Sequence, residues 1–377
     1  MKGERGLQAW LIRTSIRRRS VAIVLALLLL LYAAARLAGA KYEVFPEFAP
    51  PQAVVQTEAP GLAPEQVEKL VTQPIENALA GVPGLASLRS SSIQGLSLIT
   101  ATFAAQSDIY RDRQSVAERL AAIALPKGVA APAMTPLTSS ASTLLVVGLT
   151  SPVRSTMELR TLAEWTIRPR LLATPGVAKV AIFGGAERAL QIQIDPNRLI
   201  RHGLGVKDIV AAAGRATGLR GAGFIDTPNQ RLVLRTEGQT TTAEALGGAV
   251  VAANGGAPLT LGEVAHVAES PLPPIGGASI MGKPGVQLAV SSQYGANTVA
   301  VTGAVETALA ELRPALEREG VELHGDLFRP ATFIDNAMAG MRSSLVLGGL
   351  LVIAIISVFL FDWRTALISS AAIPLSL

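Results

Sequence analysis

The sequence predicts an α+β membrane protein, with helices that cross a bilayer joined to a large exported domain of repeated βαβ units. Three observations carry that prediction. Hydrophobic residues make up 49% of the 377 residues and charged residues 16%, with a mean hydropathy of +0.40, which is too apolar for an ordinary soluble chain. Two long apolar runs stand far apart, Val21 to Ala35 and Ser343 to Phe361. The segment between them repeats a helix–turn–strand pattern at a fixed offset.

Residues 1–19 form a basic leader with Arg13, Arg17, Arg18 and Arg19, and the positive-inside rule places that end in the cytoplasm. Trp10, Leu11, Ile12 and Ile16 suit an interfacial amphipathic turn. The first span is expected over residues 20–40. Its uncharged run reaches about 20 residues if Arg36 snorkels to the interface. A cleaved signal peptide is the competing reading, with a small-residue site at Leu37 to Ala40. The long leader and Arg36 weigh against it. The chain from Lys41 to about Met341 then lies outside the cytoplasm. The second span, 341–361, returns it. Residues 362–364 make a short cytoplasmic turn with Asp362 and Arg364, and residues 365–377 open a third span that contains Pro374.

Within the exported segment, Ala53 to Pro60 reads as a strand ending in a Pro-Gly turn. A helix follows, with Pro64 and Glu65 at its start and Val67, Leu70, Val71, Ile75 and Leu79 as its apolar face. Pro74 is expected to bend or interrupt it. A hairpin turns at Gln94-Gly95, and "DIYRDRQSVAERLAAIA" reads as a second amphipathic helix ended by Pro126 and Gly128. Pro83-Gly84-Leu85-Ala86 returns as Pro175-Gly176-Val177-Ala178, an offset of 92 residues. At that offset Ile75 meets Ile167, Leu79 meets Leu171 and Leu88 meets Val180. The pattern is the split-βαβ or ferredoxin-like one. The second copy carries an insertion at about 181–268, with a Gly-rich hairpin near 215–238. A helix over Thr298 to Arg318 and a strand "VELHGDLF" close it.

Several chemistries are excluded. There is no cysteine, hence no disulfide, thiolate metal site or cysteine nucleophile. No phosphate-binding G-x-x-x-x-G-K-[ST] exists, and "GLRGAG" lacks the strand–glycine–helix order of a dinucleotide fold. Neither nucleic acid nor a cofactor is expected, and the chain does not read as an enzyme. His202, His266 and His324 lack metal-ligand spacing. Ser90, Ser91 and Ser92 lack a nucleophile-elbow setting, so an ordinary strand surface is expected there. The candidates for a soft-metal contact are the thioethers of Met281, expected on a strand, and of Met338 and Met341, one turn apart ahead of the second span. Apolar packing explains all three equally well. Neither full span holds a carboxylate, so no proton relay is expected in these residues.

This order of parts resembles the resistance-nodulation-division efflux permeases of bacterial inner membranes, over nearly the whole chain. "FPEFAPPQAVVQTEAPGLAPEQVEKLVTQPIENALAGVPG" looks like the start of the first porter subdomain, and "DIYRDRQSVAERL" like its second helix. "AIFGGAERALQIQIDPNRLIRHGLGVKDIVAAA" resembles the opening of the docking subdomain. "GAGFIDTPNQRLVLRTEG" falls where that family has its intersubunit hairpin, and "FLFDWRTALISSAAIPLSL" resembles its turn from the second to the third membrane helix. The wording of "FPEFAPP", "VTQPIE" and "DIY" is closest to the heavy-metal efflux branch. The resemblance implies a first porter subdomain at 41–132, a second at 133–180 and 269–340, and an inserted docking subdomain at 181–268. It further implies a homotrimer in the inner membrane with a periplasmic domain, proton-driven export of toxic compounds or metal ions, and work with a periplasmic adaptor and an outer-membrane channel. The family's proton-relay acids would lie beyond Leu377, so the fragment is not expected to pump alone. A membrane-anchored binding or sensor module, or a decayed gene product, is the alternative. An envelope hydrolase lacks any catalytic constellation.

Overall fold

The computed structural model describes residues 4–38, 43, 47, 49–218, 224–226, 231–233, 240–254, 257–273 and 276–360. The expected turn at 362–364 and third span at 365–377 lie outside these residues. The chain opens with helices α1 (Glu4–Arg17) and α2 (Arg19–Ala38). The uncharged stretch of α2 is short, with an apolar helix of Arg19–Ala33. One helix among the described residues, α11 below, is long and apolar enough to cross a membrane by length and composition.

The first α/β unit runs strand, helix, strand, strand, helix, strand. Strand β1 (Gln52–Glu58) leads into α3, which is built from Pro64–Val67, a π segment Glu68–Thr72, and Gln73–Leu79. Strands β2 (Leu85–Ile93) and β3 (Leu96–Phe103) form the hairpin at Gln94-Gly95. Helix α4 (Ile109–Ala121) and the short β4 (Ala133–Met134) complete the unit. The sheet order is β2-β3-β1-β4, antiparallel throughout, which is the split-βαβ arrangement. Alternation sends Ala53, Val55, Ile99, Ala101 and Phe103 to one buried face. There they meet α3 and the Val116 and Leu120 side of α4. Asp108 caps α4 by accepting from Tyr110 N at 2.9 Å.

The second unit begins with β5 (Thr138–Thr150). Helix α5 follows as Thr156–Leu162, a π segment Ala163–Ile167, and Arg168–Leu172, and then β6 (Val177–Phe183). Its start is a capping box. Glu158 Oε2 accepts from Ser155 N at 2.8 Å, and those contacts hold the Glu158 carboxyl below its ordinary value.

The chain then leaves the sheet for an inserted unit. That unit comprises β7 (Arg188–Ile194), α6 (Pro196–His202), α7 (Val206–Thr217), β8 (Phe224–Asp226), β9 (Arg231–Val233), α8 (Ala243–Gly247), β10 (Val250–Asn254), β11 (Ala257–Thr260), α9 (Leu261–Val264) and β12 (Ala265–Pro271). It has its own core around Leu199, Ile209, Leu246, Leu261 and Val264. Strands β8 and β9 pair as a hairpin, while residues 215–217, expected within that hairpin, belong to α7. Helix propensity carries α7 through "AAAGRAT" as far as Thr217.

The second unit resumes with β13 (Ala278–Ile280), β14 (Lys283–Gln293), α10 (Thr298–Arg318) and β15 (Glu322–Phe328). Strand β14 pairs with both β6 and β5, and β5 pairs with β15. The order β6-β14-β5-β15 therefore repeats the order β2-β3-β1-β4 of the first unit. Helix α11 (Ala331–Leu360) follows at once. It starts ten residues before the expected span at 341, because its polar first turns are tied down rather than solvated loop.

The repeat is sharpest in α3 and α5. Val67, Val71, Ile75 and Leu79 are fully buried, and so are Leu159, Ala163, Ile167 and Leu171 at the 92-residue offset. Each row recurs every fourth residue. In an α-helix each four-residue step overshoots a full turn by about 40°, so three steps swing a row about 120° off its sheet. A π segment has more residues per turn and takes up that drift. The sequence signal for an interruption was Pro74, and the interruption is this π segment. Each π segment is followed by a proline, Pro74 or Pro169, six residues after its start. Proline lacks the N–H for an α-helical bond and clashes with the carbonyl four residues back, which the wider turn relieves. The position of each π segment is thus set by the proline after it, and the two segments fall about a turn apart in the two copies.

Met281 departs from expectation. It is not on a strand but in the two-residue turn between β13 and β14, with φ 50°, next to Gly282 at φ 80°. Two positive φ values are what a type I′ hairpin turn demands, and a side chain as long as methionine has no stake in that conformation.

Two predictions follow from this packing. Ile75→Ala and Ile167→Ala each remove a fully buried branched side chain and should cost about 2–5 kcal/mol. Because the two rows sit in separate cores, hydrogen exchange should speed in β1 and β3 for the first and in β14 for the second. Simultaneous loss of protection in both sheets from either change would show one shared core. Met281→Asn should raise the melting temperature, since asparagine accepts a positive φ that costs methionine about 1–2 kcal/mol. An unchanged or lower melting point would mean that the methionine side chain makes a compensating contact.

Candidate functional site

The three methionines do not assemble a metal site by themselves. Met338 and Met341 lie one turn apart on one side of α11, both substantially exposed, and Met281 sits in the β13–β14 turn, also exposed. Among the described residues, no group of three or more histidine, cysteine, aspartate or glutamate side chains could hold a metal ion. The histidines are dispersed, with His202 ending α6, His266 on β12 and His324 on β15.

His324 has company that sequence spacing did not reveal. Strand β15 pairs with β5 so that Glu322 lies opposite Thr150. Thr150 Oγ1 donates to Glu322 Oε2 at 3.1 Å and stands 2.9 Å from His324 Nε2. The hydroxyl proton is used once, so His324 Nε2 carries hydrogen and donates to Thr150 Oγ1. Lys283 Nζ lies 3.6 Å from the same Glu322 oxygen, and Met281 is two residues from Lys283. The hydroxyl is buried and the lysine offsets the carboxylate, so the group is neither an accessible nucleophile nor an electron-rich cation trap. It is a polar patch formed by strand register.

Two clefts lie where units meet. One, of about 330 Å³, has walls from both α/β units: Val54, Ile109 and Arg113 from the first, Ser142 and Tyr294 from the second. Arg113 Nη2 donates to Thr135 O at 2.8 Å, and burial lowers the Arg113 pKa. Ser139 Oγ donates to Glu47 Oε2 at 2.8 Å at the same junction. Relative motion of the two units would change the width of this cleft.

The other, of about 420 Å³, lies at the neck of the inserted unit. The chain leaves through Gly184 and Gly185, both at positive φ, where a Cβ on Gly184 would stand 2.7 Å from Ala278 N. Outgoing and returning strands are therefore packed backbone to backbone. Arg160 of α5 clasps the exit, with Nη1 donating to Gly184 O and Nη2 to Glu187 Oε1, both at 3.1 Å. Leu272 N donates to Glu187 O at 2.8 Å on the return.

Comparison with known proteins places this geometry. Residues 11–377 match the AcrB/AcrD/AcrF family. Protein HelA of Legionella pneumophila is 31% identical over 376 residues, covering 97% of this chain and 36% of that protein. The cobalt-zinc-cadmium resistance protein CzcA of Cupriavidus metallidurans is 30% identical over 346 residues, covering 89% of this chain and 32% of that one. The crystal structure of a heavy metal efflux pump superposes with a TM-score of 0.82 at 27% identity, covering 97% of this chain and 37% of that chain. The chain thus spans about a third of the length of the curated relatives it matches. With a family match over nearly every residue, the chain belongs to the AcrB/AcrD/AcrF family, the resistance-nodulation-division group that its sequence resembles.

Proposed function

We propose that this chain is the N-terminal portion of a proton-driven efflux permease that moves metal cations out of the cell envelope. The observation that carries the reading is the likeness over 97% of the chain to a heavy metal efflux pump, with relatives named for metal resistance. On this reading α2 and α11 are membrane helices, the N-terminus is cytoplasmic, and the exported region is periplasmic. Residues 41–132 form the first porter subdomain, 133–180 and 269–340 the second, and 181–268 a docking subdomain whose hairpin reaches a neighbouring subunit of a homotrimer. The junction cleft of Arg113 and Tyr294 opens and closes as the porter subdomains move. A periplasmic adaptor and an outer-membrane channel complete the path, and proton-relay acids lie elsewhere in the permease. The competing reading, an anchored binding or sensor module, requires no ion coupling.

The reading is tested by expressing the complete reading frame in a bacterial strain stripped of its own metal exporters. Growth should be protected against zinc, cobalt, cadmium or nickel salts and lost when the proton gradient is collapsed. Protection against amphiphilic drugs alone would overturn the metal assignment, and protection against neither would overturn export.

A further inference from the structure

We infer that Arg329 is the stiff joint that fixes the direction of helix α11 to the second α/β unit. The chain passes from β15 to α11 through two residues, Arg329 and Pro330. Arg329 Nε meets Glu306 Oε1 of α10 at 2.6 Å, and Nη2 meets Glu306 Oε2 at 3.5 Å. On its other side Nη1 donates to Asp335 Oδ2 at 2.8 Å and to Thr332 Oγ1 at 3.2 Å, both on α11. One planar guanidinium thus bridges two helices through four contacts. These contacts, the Glu306 pair foremost, raise its pKa.

The rest of the joint is built to match. Thr332 N donates to Arg329 O at 3.0 Å and Phe333 N to Pro330 O at 2.9 Å, so the helix starts immediately after the link. Ala331 is fully buried, which leaves α11 no slack at its first residue. Helix α10 is itself seated on the second sheet by Val305, Ala308 and Leu309. The partly exposed pair adds little stability, as surface ion pairs do. Its effect is geometric. A helix of 30 residues is about 45 Å long, so about 10° of slack at its start moves its far end by about 8 Å. Two shared carboxylates that fix the fork remove that slack, which a lysine's single ammonium cannot do.

What the lever moves rests on the proposed membrane role of α11, but the joint itself can be read without transport. The residues of this chain include no cysteine, so paired spin labels can be introduced cleanly once any cysteine elsewhere in the protein is replaced. Labels at Ala310→Cys on α10 and Ala339→Cys on α11, in the complete protein in nanodiscs, should give one narrow distance distribution. Arg329→Lys and Arg329→Ala should each broaden it at least twofold. A control pair within the second unit, Ala310→Cys with Lys179→Cys, should stay narrow. An unchanged α10–α11 distribution in both variants would overturn the joint. Broadening of the control pair as well would overturn it too, by showing that Arg329 holds the unit rather than the helix. Failure of metal export in the unaltered protein would sink the functional reading and leave these distances as they are.

Discussion

A helix whose apolar residues recur every fourth position must lie flat on a sheet, and that requirement shapes both α/β units. An ordinary α-helix cannot hold such a row on one side for twelve residues. The chain meets the constraint twice with a π segment before a proline, and both rows end fully buried. Once the row is seated, the Pro-Gly turn that follows it, with Gly84 and Gly176 at positive φ, aims the next strand back along the sheet. In the second unit that turn is also crowded: a Cβ on Gly176 would stand 2.5 Å from Val301 of α10.

The same constraint explains where the chain tolerates an insertion. In the first unit, β2 and β3 are joined by the two residues Gln94 and Gly95. The equivalent turn in the second unit is Met281-Gly282, and residues 184–277 enter before it, within the edge strand: β6 ends at Phe183 opposite Gln287, and β13 resumes at Ala278 opposite Gly285. The break therefore falls on the strand at the edge of the sheet, beside β14. An insert there leaves both helices and the central strands β14 and β5 in register. The backbone at Gly184 still lies against Ala278, so β13 continues the line of β6 along β14. Arg160 then ties the first residues of the excursion to α5, and the inserted unit packs its own core.

Much of this was legible in the residues. The Pro-Gly echo and the pairs Ile75/Ile167 and Leu79/Leu171 gave the duplication, because buried helix positions and positive-φ turns are the least replaceable parts of such a unit. Pro74 announced an interruption but not its kind, since a kink, a break and a π segment share the same local signal. The expected span at 341–361 says nothing of the polar turns before it; α11 already begins at Ala331, where Arg329 bonds Asp335 and Thr332. Met281 was expected on a strand, and the sign of φ at a turn does not show in hydropathy. The Thr150–Glu322–His324 group was invisible because its members meet only through strand register across more than 170 residues. The family wording carried most of the functional reading, which no single side-chain constellation in these residues supplies.

Residues 52–328 hold two copies of one fold, the second interrupted within its edge strand. Excising residues 186–276 from the segment 43–330, so that Gly185 runs directly into Gly277, tests it most directly. The shortened protein should unfold cooperatively and keep the cross-strand contacts of Val180 with Val290 and Ile182 with Leu288 in its NMR spectra. Loss of those contacts with a non-cooperative melt would show that the second sheet depends on the insert, and would contradict the interrupted-repeat account.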